Sequence, residues 1–497
     1  MLATDGLRAG VVLDPPERMT AEVVVVGSGP AGAVTGSVLA EAGCDVLILE
    51  EGPLVAADAH ALYSSSEMEA KYRNGGITAA IGRPTVAYVE GRCVGGGAEV
   101  NGGLWFRTPS DVLDRWEYEH GVRLEGLDVD LDQLESDLGG VSEAPPSPAG
   151  DRLREGARAL GWPSFEARCT LLREGTAERR RGMSTTFLPR ALRAGARLAP
   201  DVRVSHVEIR RNVWVVHASL DRDGSTRKLL IEASTVFVCA GAIQSPSLLR
   251  RSGLAPSAGR GLMLHATLKV VAKFAETVNP LEGGRTRPRI PGAMIDAFGP
   301  GTNLECAVSG RGHLALELAH HRGGLTWLDE VERVAGYAAR IHLVEGSVAT
   351  IPGLRDPIVR ATWPRAALRE LSSATKRLCR ALLAAGATEI LPAIHVDRPI
   401  RGESDVDRLP DKLDRATLRP MTIHLSSTCR MGRPSAGAVV DVSGRVFGAP
   451  RLFVSDSSVL PTAPRVNPQG TIMAVARRNA RLFLEERASR AFRSRTE

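Results

Sequence analysis

Glu22-Val-Val-Val-Val-Gly27-Ser-Gly29-Pro-Ala-Gly32 is the stretch of sequence that decides the fold. The β-branched run before Gly27 is typical of a buried parallel strand. Residues 33–42 predict a helix that ends at Gly43, and Asp45-Val-Leu-Ile-Leu-Glu50 predicts a second strand. A strand, a glycine turn, a helix and a second strand together predict the βαβ unit that binds dinucleotides.

The glycines of this turn each meet a different physical need. Gly27 permits the tight turn, Gly29 lets a pyrophosphate approach the backbone, and Gly32 lets the helix pack on the strand. Free amides at the helix N-terminus then bind the phosphates. Glu50 stands where a carboxylate can accept hydrogen bonds from a ribose diol and would repel a 2′-phosphate. The motif therefore predicts FAD or NAD and disfavours NADP.

The bulk composition is that of an ordinary globular protein. The chain has 497 residues, of which 43% are hydrophobic and 24% are charged, so two to four domain-sized units are expected. No uncharged apolar run is long enough for a transmembrane helix, and no transmembrane anchoring is predicted. The first 22 residues lack a basic segment followed by an apolar one, so we expect no signal peptide and a cytoplasmic protein.

Charge and cysteine usage argue against two further classes of protein. A net charge of +6 is mild for this length, aromatic residues make up only 4%, and the run Arg179–Arg181 is predicted to be a solvated loop. We therefore expect no nucleic-acid partner.

Seven dispersed cysteines without a CxxC pair predict reduced thiols, and the adjacent His320 and His321 would face opposite sides of a strand. No metal site is predicted.

The chain is predicted to have a discontinuous cofactor domain, residues 20–265 and 424–485, with a substrate domain, residues 266–423, between its two parts. Thr235–Ala240 predicts another buried strand of the first domain. In the second, alternating stretches such as Leu314-Ala-Leu-Glu-Leu and a helical pattern from Ala366 to Ala385 predict an antiparallel sheet with helices. The predicted fold class is α/β, a Rossmann-like domain with a parallel sheet plus an α+β substrate domain.

Four further segments accompany the dinucleotide motif: Gly91-Arg-Cys-Val-Gly95-Gly-Gly97-Ala-Glu-Val-Asn101, Cys239-Ala-Gly241-Ala-Ile-Gln-Ser-Pro246, Leu452-Phe-Val-Ser-Asp456, and His424 with Asn467-Pro468. Together they resemble the signatures of the glucose–methanol–choline family of FAD-dependent alcohol oxidoreductases. The resemblance covers roughly residues 22–270 and 340–485. It implies FAD as the cofactor, and it implies as FAD neighbours Arg92, Gly95, Gly96, Asn101, Val207, Ala240, Asp456, Pro468 and Gln469. For Asp456, a plain helix cap is the alternative.

The resemblance also implies a catalytic pair. His424 would take the hydroxyl proton of an alcohol while a hydride leaves its carbon, and an unperturbed histidine pKa suits that task. Asn467 would donate to the alcohol oxygen. A helix that begins near Pro468 would point its positive end at the flavin.

Within the family, the segments 67–76, 94–101, 107–116 and 428–432 most resemble the long-chain alcohol oxidase branch. Three residues depart from the family pattern. Val100 stands where covalent members carry a flavin-linking histidine, so noncovalent FAD is expected. Ala98 replaces a serine, and Ser427 replaces the glycine of the HxxGT-like stretch.

The resulting hypothesis is an enzyme that oxidises an alcohol to a carbonyl compound with FAD and then passes electrons to oxygen or another acceptor. The apolar content of residues 266–423 favours a hydrophobic small-molecule alcohol, with aliphatic, aromatic and sterol-like molecules all open. A flavoprotein lyase that acts on a hydroxylated substrate in the same site is the alternative. A non-enzymatic basic binding protein is the third class, and it predicts a colourless protein.

Overall fold

Two β-sheets organise the computed structural model, which describes residues 10–174, 177–222, 224–282, 285–286, 290–299 and 301–496. Each sheet has its own hydrophobic core. The N-terminal segment on which the absence of a signal peptide was predicted lies partly outside the described residues, because residues 1–9 are not among them.

The first sheet is built around the predicted βαβ unit. Its central strand is buried on both faces, with Val23 paired in parallel to Val46 on one side and to Thr235 on the other. Two further strands extend the sheet in antiparallel fashion. Its strands, in spatial order, are Arg197–Ala199, Val46–Leu49, Arg18–Val26, Ser225–Val238, Val213–Arg222 and Val202–Arg210, and Leu452–Val454 also pairs with Ser225–Val238.

The second sheet is mostly antiparallel and centres on two long strands, Arg260–Phe274 and Val334–Ala349. In the described part of the chain it has eleven strands. The others are Thr78–Ala80, Val86–Tyr88, Ser164–Glu166, Ala293–Ile295, Thr302–Cys306, Ile358–Thr362, Ala387–Pro392, Met421–Thr422 and Leu425–Ser426. Short additional ladders join Leu171–Glu174 to Ala177–Arg180, Leu281–Glu282 to Arg285–Thr286, and Arg168–Cys169 to both Leu104–Trp105 and Ser142–Glu143.

Helices cover the sheets and connect them. The α-helices are Pro30–Glu41, Ser65–Lys71, Ser110–His120, Leu127–Asp137, Pro148–Ala159, Phe187–Arg193, Gly241–Arg251, Arg311–Leu318, Arg365–Ala384, Glu403–Asp407 and Gln469–Thr496. Short 3₁₀ segments are Arg73–Gly76, Gly96–Glu99, Gly324–Arg333, Pro434–Ala436 and Ser457–Val459. None of the helices within the described ranges combines the length and apolarity needed to cross a membrane.

The predicted fold class is confirmed, a Rossmann-like parallel sheet together with an antiparallel sheet. The predicted boundary between residues 265 and 266 falls inside the strand Arg260–Phe274. Strands at 78–88 and 164–166 also pair in the second sheet, although the sequence division assigned them to the cofactor domain. The division into two domains stays a prediction, and the second sheet takes more strands from the predicted cofactor domain than that division implies.

Two predictions for residues 314–321 were wrong. His320 and His321 lie between the helix Arg311–Leu318 and the segment Gly324–Arg333, and not along a strand. The alternating stretch from Leu314 to Leu318 lies in the helix Arg311–Leu318 rather than in a strand. Leu314 and Leu318 are buried four residues apart, on one helix face, while Leu316 between them is 65% exposed. The i, i+4 spacing therefore decided the structure, and the alternation was coincidental.

Helix Pro148–Ala159 packs on helix Arg365–Ala384 at Gly156, where a Cβ atom would lie 1.9 Å from the carbonyl oxygen of Ala381. We predict that Gly156→Ala destabilises the protein by about 1–3 kcal/mol, because the helices must separate. Gly312→Ala is the matched control, since Gly312 is also helical and its Cβ would meet nothing within 4 Å. Thermal unfolding should show a lower Tm for Gly156→Ala and an unchanged or higher Tm for the control. Equal Tm values would contradict the close contact.

Candidate active site

A large cavity lies where the two sheets face each other, and its wall includes residues of both. Its volume is about 1950 Å³. Pockets for drug-sized ligands usually measure roughly 300–1,000 Å³. The cavity is therefore large enough for a dinucleotide together with a second, smaller molecule.

Glycine backbones form the first part of the cavity wall. Gly27 has φ +101°, and a Cβ there would lie 2.5 Å from the carbonyl oxygen of Cys239. Gly96 has φ +56°, and its Cβ would lie 2.7 Å from the Cα of Gly29. Two loops thus meet backbone to backbone at the start of helix Pro30–Glu41, whose first turn has no side-chain cap. This is the cradle that a pyrophosphate needs.

Glu50 links the same loops through hydrogen bonds. Its Oε2 atom accepts hydrogen bonds from the backbone N–H of Ser28 at 3.0 Å and from the Ser28 hydroxyl at 2.6 Å, while Oε1 accepts from the N–H of Gly52 at 2.8 Å. The Ser28 hydroxyl oxygen also accepts from the N–H of Gly95. Burial raises the pKa of Glu50, and the Ser28 and Gly52 hydrogen bonds oppose that shift. A carboxylate has about four acceptor sites, so capacity for a ribose hydroxyl remains.

Two further carboxylate or amide groups join distant segments at the cavity. Asp456 accepts hydrogen bonds from the N–H groups of Gly241 and Ser458, each at 2.8 Å, and from the Ser245 hydroxyl. It therefore caps the turn after strand Ser225–Val238 and also lines the cavity. Asn101 donates through Nδ2 to Gln469 at the start of the last helix.

His424 and Asn467, 43 residues apart in sequence, meet at one buried guanidinium group. Nη1 of Arg340 donates to Oδ1 of Asn467 at 2.7 Å and lies 3.3 Å from Nδ1 of His424. Nη2 of Arg340 lies 3.2 Å from a carboxylate oxygen of Glu305. Arg340 is only 2% exposed, and all four side chains line the cavity.

Two more histidines pack behind His424. Nδ1 of His265 lies 3.0 Å from Nδ1 of His424, and the rings of His265 and His342 meet edge to face at 4.0 Å. Nε2 of His342 lies 2.9 Å from Oδ1 of Asn303. Burial, followed by the charge of Arg340, holds the pKa of His424 well below its ordinary value. Burial likewise holds the pKa values of His265 and His342 well below theirs.

The structure brings most of the residues predicted for the site to this cavity. Those that line it are His424, Asn467, Gly27, Gly29, Glu50, Gly96, Asn101, Ala240, Asp456, Pro468 and Gln469. Four do not line it. Gly32 packs beneath the turn, Gly95 packs on Glu99, Arg92 contacts Glu51, and Val207 lies in the hydrophobic core.

Val207 is displaced from the cavity because the strand Val202–Arg210 leaves it after its first residues. Val202 and Val204 line the cavity, whereas a register shift follows Val204 and Val207 packs into the core of the first sheet.

Arg340 was not among the residues predicted for the site. It lies in the otherwise apolar run from Val334 to Val344, which only Arg340 and His342 interrupt. A charged residue inside a buried strand costs free energy unless it is paired, so that interruption was the available signal.

The prediction of a solvated loop at Arg179–Arg181 was wrong for Arg180. This side chain is only 9% exposed; Nη1 donates to Glu67 at 2.6 Å, and Nε donates to the carbonyl oxygen of Asn101 at 2.7 Å. A buried ion pair thus supports the loop that carries Asn101, and a basic run alone does not signal it.

The amino-acid sequence matches models of known protein families. The N-terminal GMC oxidoreductase model matches residues 68–267 and the C-terminal one matches residues 350–476, together more than half of the chain. The chain belongs to the GMC oxidoreductase family. A model for NAD(P)-binding Rossmann-like domains matches residues 25–65. As a GMC oxidoreductase, the protein is an FAD-dependent enzyme of the class that acts on CH–OH donors.

Individual relatives agree with this assignment. A GMC-type oxidoreductase of Sinorhizobium fredii (strain NBRC 101917 / NGR234) is 35% identical, over 98% of this chain and 100% of its own. A long-chain-alcohol oxidase of Arabidopsis thaliana is 26% identical, over 92% of this chain and 66% of its own. The crystal structure of pyridoxine 4-oxidase from Mesorbium loti shares the fold, with a TM-score of 0.68, 20% identity, and coverage of 94% of this chain and 99% of that one.

Ser427, which stands where the family pattern has glycine, has φ +72° and is buried. Its hydroxyl and that of Ser426 lie 3.0 Å apart, and Ser426 has no positive φ. We predict that Ser427→Val costs about 1–2 kcal/mol more than the matched control Ser426→Val. Both variants lose the same hydrogen bond, so chemical denaturation of the pair isolates the backbone contribution. Equal losses of stability would contradict the strained conformation.

Proposed function

We propose that this protein oxidises an alcohol to a carbonyl compound with noncovalent FAD and with His424 as the general base. The observation that carries the proposal is the convergence of His424 and Asn467 on Arg340 in the cavity wall. Bound FAD supplies the acceptor for the hydride that leaves the alcohol carbon. Gly27, Gly29, Gly96 and Glu50 are the residues that would hold its pyrophosphate and ribose.

His424 is suited to remove the hydroxyl proton because it is neutral at physiological pH. The low pKa that burial and Arg340 impose leaves the imidazole unprotonated. Its Nδ1 faces His265 at 3.0 Å, shorter than the 3.3 Å contact with Arg340. Since a guanidinium group can only donate, His424 would act as the base in the tautomer in which its Nδ1 donates to His265 and no longer accepts from Arg340, and Nε2 would then offer its lone pair to the substrate.

Asn467 and Arg340 would stabilise the substrate oxygen. Since Oδ1 of Asn467 accepts from Arg340, the NH₂ group of the same side chain is free to donate into the cavity. The positive guanidinium group lies beside both side chains and would stabilise the negative charge that develops on the substrate oxygen as the proton leaves. Removal of one such donor typically costs about 10²–10³ in rate.

Val100 supports noncovalent binding of FAD. It occupies the position of the flavin-linking histidine of covalent family members, and a valine offers no atom for such a bond. Denaturation with acid or organic solvent should therefore release all of the yellow colour from the protein.

We predict that His424→Ala retains FAD and reduces the rate of anaerobic flavin reduction by at least about tenfold, a lower bound set beneath the usual 10²–10⁴ contribution of a general base. For the native enzyme, the low pKa of His424 predicts an acid limb below pH 6.5, because protonation removes the base only there. His395→Ala is the matched control, since His395 is exposed on the surface. Unchanged reduction kinetics in His424→Ala would remove His424 from the mechanism. A flavin that no alcohol bleaches would favour the lyase.

The wall of the cavity next to Arg340 favours a polar alcohol over a long aliphatic one. Lys269 and Glu305 face the cavity from the second sheet, and Glu317 faces it from the helix Arg311–Leu318. Burial lowers the pKa of Lys269 and raises that of Glu317, so both charges are partly desolvated. An aliphatic chain would remove water from these groups and offer them no polar contact in return, which is unfavourable. The substrate of the relatives named long-chain-alcohol oxidases is therefore not assigned to this protein.

We predict that 6-hydroxyhexanoate or 6-aminohexan-1-ol reduces the flavin with at least about tenfold higher efficiency than 1-hexanol, a difference of about 1.4 kcal/mol. The three molecules share chain length and the reacting hydroxyl, so the comparison isolates the polar end. Stopped-flow reduction under anaerobic conditions gives the efficiency of each. A preference for 1-hexanol and longer alkanols would refute the polar assignment and leave the oxidation of alcohols intact.

A further inference from the structure

Three potential metal ligands lie together on the outer edge of the first sheet, away from the cavity. His206 and Glu208 belong to the edge strand Val202–Arg210, and His217 belongs to its neighbour Val213–Arg222. His206 pairs directly with His217 in the antiparallel register. Glu208, two residues after His206, points to the same face of the sheet. Among the described residues that line the cavity, none belongs to this trio.

The side chains are close enough to share one ion. One ligand atom from each residue lies within 4.8 Å of the other two. The rings of His206 and His217 stack at 4.0 Å with an angle of 12° between their planes. The register of the ladder shifts between Val204 and His206, immediately before the trio. Such irregularities redirect side chains and are frequent at functional positions of edge strands.

A neighbouring serine orients His206 for metal binding. The hydroxyl of Ser205 donates to the carbonyl oxygen of His217 at 3.0 Å, and its oxygen lies 3.0 Å from Nδ1 of His206. Because the serine proton is already used, the serine oxygen accepts from Nδ1–H of His206. This hydrogen bond fixes the tautomer and leaves the Nε2 lone pair free. Metal-binding histidines are commonly oriented by a second hydrogen bond of this kind.

In the metal-free protein, the ligand atoms of His217 and Glu208 are occupied by a shared proton and by the side chain of Arg210. Nε2 of His217 lies 2.7 Å from Oε1 of Glu208, and the same oxygen pairs with Arg210. Burial, together with the neighbouring His217, lowers the pKa of His206, so this ring is neutral at pH 7. Besides Glu208, the charged groups acting on His206 are Arg210 and Arg251, and both oppose a cation at the site.

We propose that His206, Glu208 and His217 form a binding site for a divalent transition-metal ion, of which Zn²⁺ is the best match. Two imidazole nitrogens and one carboxylate oxygen are a ligand set that Zn²⁺ uses, with water in the remaining position. On binding, the metal replaces the Nε2 proton of His217, which moves to Nδ1 by exchange with solvent, and displaces Arg210 from Glu208. The ion would join the edge strand to its neighbour.

The test is equilibrium dialysis of the flavin-loaded, EDTA-treated full-length protein against Zn²⁺, with metal analysis and thermal unfolding as readouts. We expect one Zn²⁺ per chain and a rise in Tm. His206→Ala and His217→Ala should each weaken binding by at least about tenfold. Arg210→Ala should tighten binding, because it removes the competing cation. His395→Ala, which alters a histidine beside a different carboxylate, should bind as the native protein does.

The flavin absorbance and the metal-free Tm of each variant establish that it is folded. The proposal is overturned if the native protein binds no more Zn²⁺ than His217→Ala does. It is also overturned if His206→Ala and His217→Ala keep the native stoichiometry and affinity, since any bound metal would then lie elsewhere. Binding that weakens between pH 7 and pH 5.5 supports the histidine ligands, because protons compete for the same nitrogens.

Discussion

The close approach of three glycine backbones is the constraint on which the cavity depends. Gly27 lies against the carbonyl of Cys239, Gly32 against the carbonyl of Gly27, and Gly96 against Gly29. At each contact a Cβ atom would fall within 2.7 Å of main-chain atoms, which no small adjustment relieves. The first turn, the end of a neighbouring strand and the 95–101 loop can therefore meet only through main-chain atoms. The N-terminus of helix Pro30–Glu41, which has no side-chain cap, is thereby left at the cavity wall, the arrangement that a bound phosphate group would use.

Arg340 has the corresponding role on the opposite side of the cavity. A buried guanidinium costs several kcal/mol in lost hydration unless its surroundings supply partners, and here Glu305 and Asn467 supply them, with His424 beside the same nitrogen. Glu305 lies on the adjacent strand, whereas His424 and Asn467 come from the C-terminal part of the chain. The guanidinium therefore fixes the proposed catalytic groups relative to the second sheet, and it makes their positions depend on one another.

The parts of the fold and of the site that could be predicted are those determined by residues close together in sequence. The glycine turn, the buried strand at Val23 and the long helix ending near Ala384 follow from periodicity and from backbone constraints within a few residues. Arg340 interrupts an apolar run, which indicates that it is paired, but its partners and the position of His265 depend on strand pairing between residues that are far apart in sequence. Leu316 shows the same limit, since a short alternating run satisfied the strand pattern while the burial of its neighbours required a helix.

The electrostatics behind His424 bear on the fate of the proton that it would accept. A protonated imidazole there would lie 3.3 Å from a guanidinium nitrogen, in a buried setting that already disfavours charge. His265 offers no stable refuge, because burial and the two neighbouring histidines hold its pKa low as well. Neither of these two histidines therefore offers the proton a favourable resting place once the substrate has become a neutral carbonyl. In the proposed mechanism, release of the proton from His424 would restore the neutral base, and the burial that lowers the pKa of His424 would favour that release.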